Sequence, residues 1–105
     1  MNKEPLISIV TLNFNNVKVT MELLLSIAEC TYKNLQIIVV DNGSEKDPTH
    51  VIKKNFPNVI VIRSEQNLGF SAGNNLGIEA SRGEFIFFVN NDTLFAENVI
   101  EATPE

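Results

Sequence analysis

Phe85-Ile86-Phe87-Phe88-Val89-Asn90-Asn91-Asp92 is an unbroken apolar run that ends abruptly in two amides and a carboxylate. A short continuous apolar segment is how a buried parallel strand reads, and in open α/β sheets ligands gather just beyond the carboxyl ends of such strands. The pattern therefore predicts a strand whose end, at Asp92, lies at a ligand crevice. The same arrangement occurs twice upstream. Leu35 to Val40 runs straight into Asp41-Asn42-Gly43-Ser44, and the β-branched run Leu6 to Leu12 ends in the polar turn Asn13 to Asn16.

Helical signals fill the intervals. Val17, Met21, Leu24, Leu25 and Ala28 recur at helical spacing and predict one apolar face. Asp47 before Pro48 supplies an N-cap and a first-turn proline for a short helix through about Asn55, with Val51 and Ile52 available for its buried side. Pro57 and Asn58 break that helix, and Val59 to Ile62 reads as a third strand. From Ser71 to Ser81, Ala72, Leu76 and Ala80 fall four apart, with Gly73 and Gly77 as a neighbouring stripe. Two glycines inside a helix cost roughly 1 kcal/mol each relative to alanine, which close approach of backbone to a ligand or to the sheet would offset. Gly83 is placed as the C-terminal cap of that helix, the fourth strand as Glu84 to Val89, and a last amphipathic helix as Ala96 to Ala102. Strands alternating with helices predict an α/β, doubly wound, mainly parallel four-stranded sheet with flanking helices.

Composition narrows the function. With 105 residues, 44% of them hydrophobic and 20% charged, the chain reads as a single domain over 1–105 with a core of its own. A net charge of −5 argues against nucleic acid as a partner and makes a metal the natural means of holding an anionic ligand. Cys30 is unpaired and reads as a small buried hydrophobe. His50, Lys53 and Lys54 read as a solvated helix face, and one histidine without a cysteine pair makes no zinc site. The expected location is the cytoplasm or the inner membrane face, since no stretch is long and apolar enough to span a bilayer.

Four ordered motifs then carry a resemblance: Ser8-Ile-Val-Thr-Leu-Asn-Phe-Asn15, Val40-Asp-Asn-Gly-Ser44, Asn67 to Ile78, and Gly83 to Asp92. Together they are similar to family-two glycosyltransferases of the GT-A fold, over nearly the whole chain. The resemblance implies a UDP- or dTDP-sugar donor and a saccharide or lipid-linked acceptor, with transfer to an acceptor hydroxyl by inversion, in cell-wall or polysaccharide biosynthesis. It implies that Asn13 and Phe14 flank the base and that Asp41 accepts the pyrimidine N3–H, although Asp41 also suits a turn that caps Asn42-Gly43. Gly69 and Gly73 would let backbone approach the nucleotide, or else serve helix-to-sheet packing. Asn74 stands where many relatives carry arginine, and Asn91 would lie beside the nucleotide. Asn90-Asn91-Asp92 stands for the family's Asp-x-Asp, leaving Asp92 to hold Mn²⁺ or Mg²⁺, ions that use few protein carboxylates together with substrate phosphates.

In that family the catalytic base and acceptor walls come from later segments, so this chain is expected to be the donor-binding portion and inactive alone. A fold remnant that has lost ligand binding is the rival reading, with Asn90 as its supporting feature. A nucleotidyltransferase would need a glycine-rich basic loop after the first strand, and Asn13 to Lys18 contains no glycine. A receiver domain would need its acidic cluster there. Phe85, Phe87 and Phe88 are expected on or beside an exposed sheet edge through which the chain forms a homo-oligomer.

Overall fold

The computed structural model describes residues 4–92. In chain order the elements are β1 (Ile7–Asn13), α1 (Val17–Ala28), β2 (Leu35–Asn42), α2 (Thr49–Asn55), β3 (Ile60–Ser64), α3 (Phe70–Ala80) and β4 (Phe85–Phe88). The strands form one sheet in the order β3-β2-β1-β4, with every pairing parallel. Isoleucine and valine dominate β1 and β2 because these central strands are covered on both faces, where a branched side chain packs well on the pleat.

One face carries α1 and α2. Ile7 and Ile9 pack there with Leu23, Ile27, Cys30 and Tyr32, and Val39 packs with Leu24, Ile52 and Val59. The other face carries α3, where Val10, Ile38 and Val40 meet Leu76 and Ala80. Two covered faces around a parallel sheet make the doubly wound architecture expected from the alternation of elements. Gly77 shows how closely α3 sits: a Cβ there would stand 2.4 Å from Val10 Cγ1.

Several local expectations shift. The buried stripe of α1 is Thr20, Leu23, Leu24 and Ile27, whereas Leu25 is 55% exposed and Ala28 lies outside the core. The stripe was masked by Thr20, a polar residue that is fully buried because its hydroxyl is satisfied. Val51 faces solvent, leaving Ile52 as the buried residue of α2. Pro48 has helical dihedrals and stands at the N-cap position of α2. Asp47 Oδ1 nevertheless does the capping, accepting from Thr49 N at 2.9 Å and Thr49 Oγ1 at 2.6 Å. Gly83 does not cap α3, which ends at Ala80 with Ser81 as its C-cap. Instead Gly83 N donates to Ser8 Oγ at 2.9 Å, and a Cβ would meet Ser8 N at 2.6 Å, so glycine is needed there for chain crossing. β4 is an edge strand with Phe85 and Phe88 each 48% exposed, not a strand buried on both sides. The helix expected at Ala96 to Ala102 lies outside the described residues.

Candidate functional site

All four strands end on the same side of the molecule; β1, β2 and β3 end in the polar residues Asn13, Asn42 and Ser64, and Asn90 and Asn91 follow shortly after β4. Parallel register sets Asn13 of β1 beside Asp41 of β2, and Asp41 beside Arg63 of β3. The side chains follow the register. Asn13 Nδ2 donates to Asp41 Oδ1 at 2.9 Å, and Arg63 Nε lies 3.2 Å from Asp41 Oδ2. Ser44, in the turn after β2, closes the group: its hydroxyl donates to Asp41 Oδ1 at 2.5 Å and its N–H to Oδ2 at 3.3 Å. Arg63 also donates to the Ser44 carbonyl.

From Asn13 the network continues the other way. Thr20 Oγ1, on α1, donates to Asn13 Oδ1 at 2.6 Å and accepts from Asn91 Nδ2 at 3.1 Å. A single hydrogen-bonded crescent thus runs from Asn91 past β4, through Thr20, Asn13 and Asp41, to Arg63. Asn13, Thr20 and Asp41 are all at most 1% exposed, and partnering of this completeness is what makes such burial affordable.

The crescent is centred on Asp41, the residue expected at the base. Its carboxylate is 0% exposed, and each oxygen receives two donors. Asp41 links the turns after β1 and β2 through Asn13 and Ser44. Asn15, at φ 53°, donates its N–H to Ser44 Oγ at 2.7 Å and accepts from Glu45 N at 2.8 Å, fastening the β1 turn to the β2 turn. Phe14, between these anchors, is 47% exposed and available for stacking. Asp47, beside Arg63 at 3.6 Å, has its pKa lowered, chiefly by the Thr49 hydroxyl and N–H and further by the guanidinium.

The loop before α3 is held by Asn42, whose Oδ1 accepts from Leu68 N at 2.8 Å while Nδ2 donates to Gly69 O at 3.0 Å. Gly69 (φ 87°) turns the chain into α3 with open space around it. Gly73 serves packing: a Cβ would come within 3.0 Å of Asn42 Nδ2 and 3.1 Å of Leu12. The first turns of α3 and the end of β4 enclose a cleft of about 190 Å³, lined by Leu12, Phe70, Asn74, Phe88, Asn90 and Asn91, with Val89 alongside.

Asn74 and Asn91 are therefore brought together at one cleft, while Asn13 and Asp41 form its buried support. Asp92 follows directly, exposed, and accepts no hydrogen bond from any described residue. No group of three or more histidine, cysteine, aspartate or glutamate side chains capable of holding a metal exists among the described residues. A lone hard carboxylate beside amide oxygens fits Mg²⁺ or Mn²⁺ when a ligand supplies phosphate oxygens, and fits zinc poorly. Thr20, Ser44, Arg63 and Asn42 complete the site through contacts that the sequence alone does not single out. Arg63 left one signal, a charged residue ending an apolar strand.

The profile of glycosyl transferase family 2 matches residues 8–103. An uncharacterized glycosyltransferase of Rickettsia typhi is 35% identical over 97 residues, 92% of this chain and 30% of that protein. Glycosyltransferase GlyG of Streptococcus pneumoniae is 33% identical over 99 residues, 91% of this chain and 33% of that protein. The chain spans about a third of the length of these relatives. Among solved structures, S. aureus TarS 1-349 in complex with UDP-GlcNAc is similar with a TM-score of 0.80 and 27% identity, covering 90% of this chain and 29% of that one.

Proposed function

The chain belongs to glycosyl transferase family 2, and from that premise we propose that it forms the donor site of an enzyme that transfers a sugar from a pyrimidine nucleoside diphosphate to an acceptor hydroxyl with inversion. The observation that carries this reading is the crescent: buried polar groups at the strand ends hold a solvent-facing aromatic and a cleft in fixed relation, and the exposed carboxylate of Asp92 follows Asn91 directly. Such an arrangement suits a ligand with three chemically distinct parts. Phe14 offers a face for the base, the cleft offers amides and two phenyl rings to the sugar-bearing portion, and Asp92 stands ready for the cation that accompanies a diphosphate. The likeness to a protein solved with UDP-GlcNAc supports the same assignment.

Transfer needs the leaving diphosphate stabilised and the acceptor hydroxyl deprotonated. A divalent cation bound at Asp92 would supply Lewis-acid neutralisation of the departing charge. Asn13, Thr20 and Asp41 act earlier in the sequence of events, holding the turns so that base and diphosphate bind at one spacing. None of the described residues is assigned the general base, and the chain alone is expected to show no sugar transfer. Self-association through the edge strand β4 is proposed with it, resting on the exposure of Phe85 and Phe88.

Calorimetry of UDP and dTDP with Mn²⁺, beside an Asp92→Ala variant, tests the reading. Weak, metal-dependent binding that is lost in the variant is expected. Equal binding by both proteins refutes the metal role, and the absence of any nucleotide-dependent stabilisation favours a fold remnant.

A further inference from the structure

The crescent has a direction, and the direction fixes how the Asn91 amide is oriented. Carboxylates only accept hydrogen bonds, so Asn13 must offer its Nδ2 to Asp41. Its Oδ1 is thereby turned to Thr20 and takes the single hydrogen of that hydroxyl at 2.6 Å. Thr20, its proton spent, can only accept from Asn91, and Asn91 spends an N–H on it at 3.1 Å. What remains of the Asn91 amide is its second N–H and its oxygen, and the oxygen accepts from no described residue, on a side chain that lines the cleft.

Taking the donor-site reading above for what occupies the cleft, we infer that Thr20 is a positioning residue: it locks the Asn91 amide in one orientation, which leaves its oxygen for the bound nucleotide sugar and its cation next to Asp92. A hydroxyl that donates once and accepts once is required for this, and serine or threonine alone among aliphatic side chains can provide it. Thr20 is 0% exposed and touches no ligand itself, so its influence runs wholly through Asn91. A threonine that merely satisfies Asn13 would affect stability and leave the cleft unchanged.

The two readings part in the ligand-free protein. In ¹⁵N NMR spectra the Asn91 side-chain amide of the wild type should exchange slowly with solvent and show the low temperature coefficient of a bonded N–H. Thr20→Ser should preserve that signature and Thr20→Val should abolish it. A freely exchanging Asn91 amide in the wild type overturns the proposal without recourse to any variant, and so does one indifferent to Thr20→Val.

The second arm measures UDP binding with Mg²⁺ by calorimetry. Thr20→Val should weaken binding by about fivefold to tenfold, the scale of one hydrogen bond, with Thr20→Ser restored to roughly the wild-type value. Thr20→Val combined with Asn91→Leu should weaken it no further than Asn91→Leu alone. Additive losses overturn the proposal, because they would mean that Thr20 acts by another route. Wild-type protein that binds no UDP while its Asn91 amide is locked overturns the donor-site reading and upholds the link.

Discussion

Replacing Asp41 with asparagine changes one atom and almost no volume, yet the structure assigns it a large cost. Four donors converge on the carboxylate: Asn13 Nδ2 and Ser44 Oγ on Oδ1, Ser44 N and Arg63 Nε on Oδ2. An amide can accept at one position only. The Oδ2 side faces a backbone N–H and a guanidinium, neither of which can reverse, so the new NH₂ must occupy the Oδ1 side. There the Ser44 hydroxyl can rotate to accept, but Asn13 must flip, Thr20 must then donate the other way, and the Asn91 amide must invert. The charge that partners Arg63 is lost as well.

A charge-assisted hydrogen bond contributes about 1.5–3 kcal/mol, and the Arg63 share is reduced because that side chain is 28% exposed. Adding one imperfectly satisfied buried donor gives a total of about 2–4 kcal/mol. Against a stability of about 5–15 kcal/mol for a domain of this size, that is a substantial fraction. Urea unfolding of wild type and Asp41→Asn, followed by circular dichroism, should show a midpoint lower by about 1–2 M with an unchanged slope. A loss below about 0.5 kcal/mol would refute the assignment of Asp41 as the buried keystone of the strand ends. If that small loss came with abolished UDP binding, Asp41 would be a base contact after all.

Thr11→Val should raise stability by about 1 kcal/mol in the same unfolding assay, because Thr11 Oγ1 is buried without a hydrogen-bond partner among the described residues and valine is nearly isosteric. Gly77→Ala should lower it by about 1–2 kcal/mol, since overpacking against Val10 at 2.4 Å outweighs the helix-propensity gain; an unchanged thermal midpoint would contradict the close seating of α3. For Asp47 the folded pKa lies below its ordinary value of 3.8, so its stabilising contribution is full above that pH and disappears as pH falls through the lowered value. Wild type and Asp47→Asn should therefore differ at pH 5 and converge toward pH 2 in acid titration of the fold.

Element order, the sheet's two covered faces and the cluster of polar strand ends were all legible in the sequence, because period and punctuation carry them. Burial within the elements was less so. Leu25 and Val51 are apolar yet exposed, whereas Thr20 is polar and fully buried; residue type predicts burial only when no partner waits for the polar group. Asn13 and Asp41 were rightly grouped at the strand ends, but the structure turns them inward to support the site. That distinction depends on Arg63 and Ser44, brought to Asp41 by strand register and a turn that no linear pattern encodes. Gly83 misled for a similar reason: a glycine after a helix suggests a cap, and here the constraint comes from Ser8, a residue 75 positions away.

The side-chain pairs at the two ends of β1 and β2 bear on folding fidelity. Between them lies a stretch of isoleucine, valine and leucine, with Thr11 its one polar member, that would pair almost equally well if one strand slid along the other by two residues, a shift that keeps each face largely apolar. Ser8 is in register with Gln36 and bonds it at 2.7 Å; Asn13 is in register with Asp41 and bonds it at 2.9 Å. A slide breaks both pairs together, stranding a glutamine at one end and an aspartate at the other. The greasy middle supplies adhesion without discrimination, and the two polar pairs act as a proofreading step that admits a single alignment of the strands.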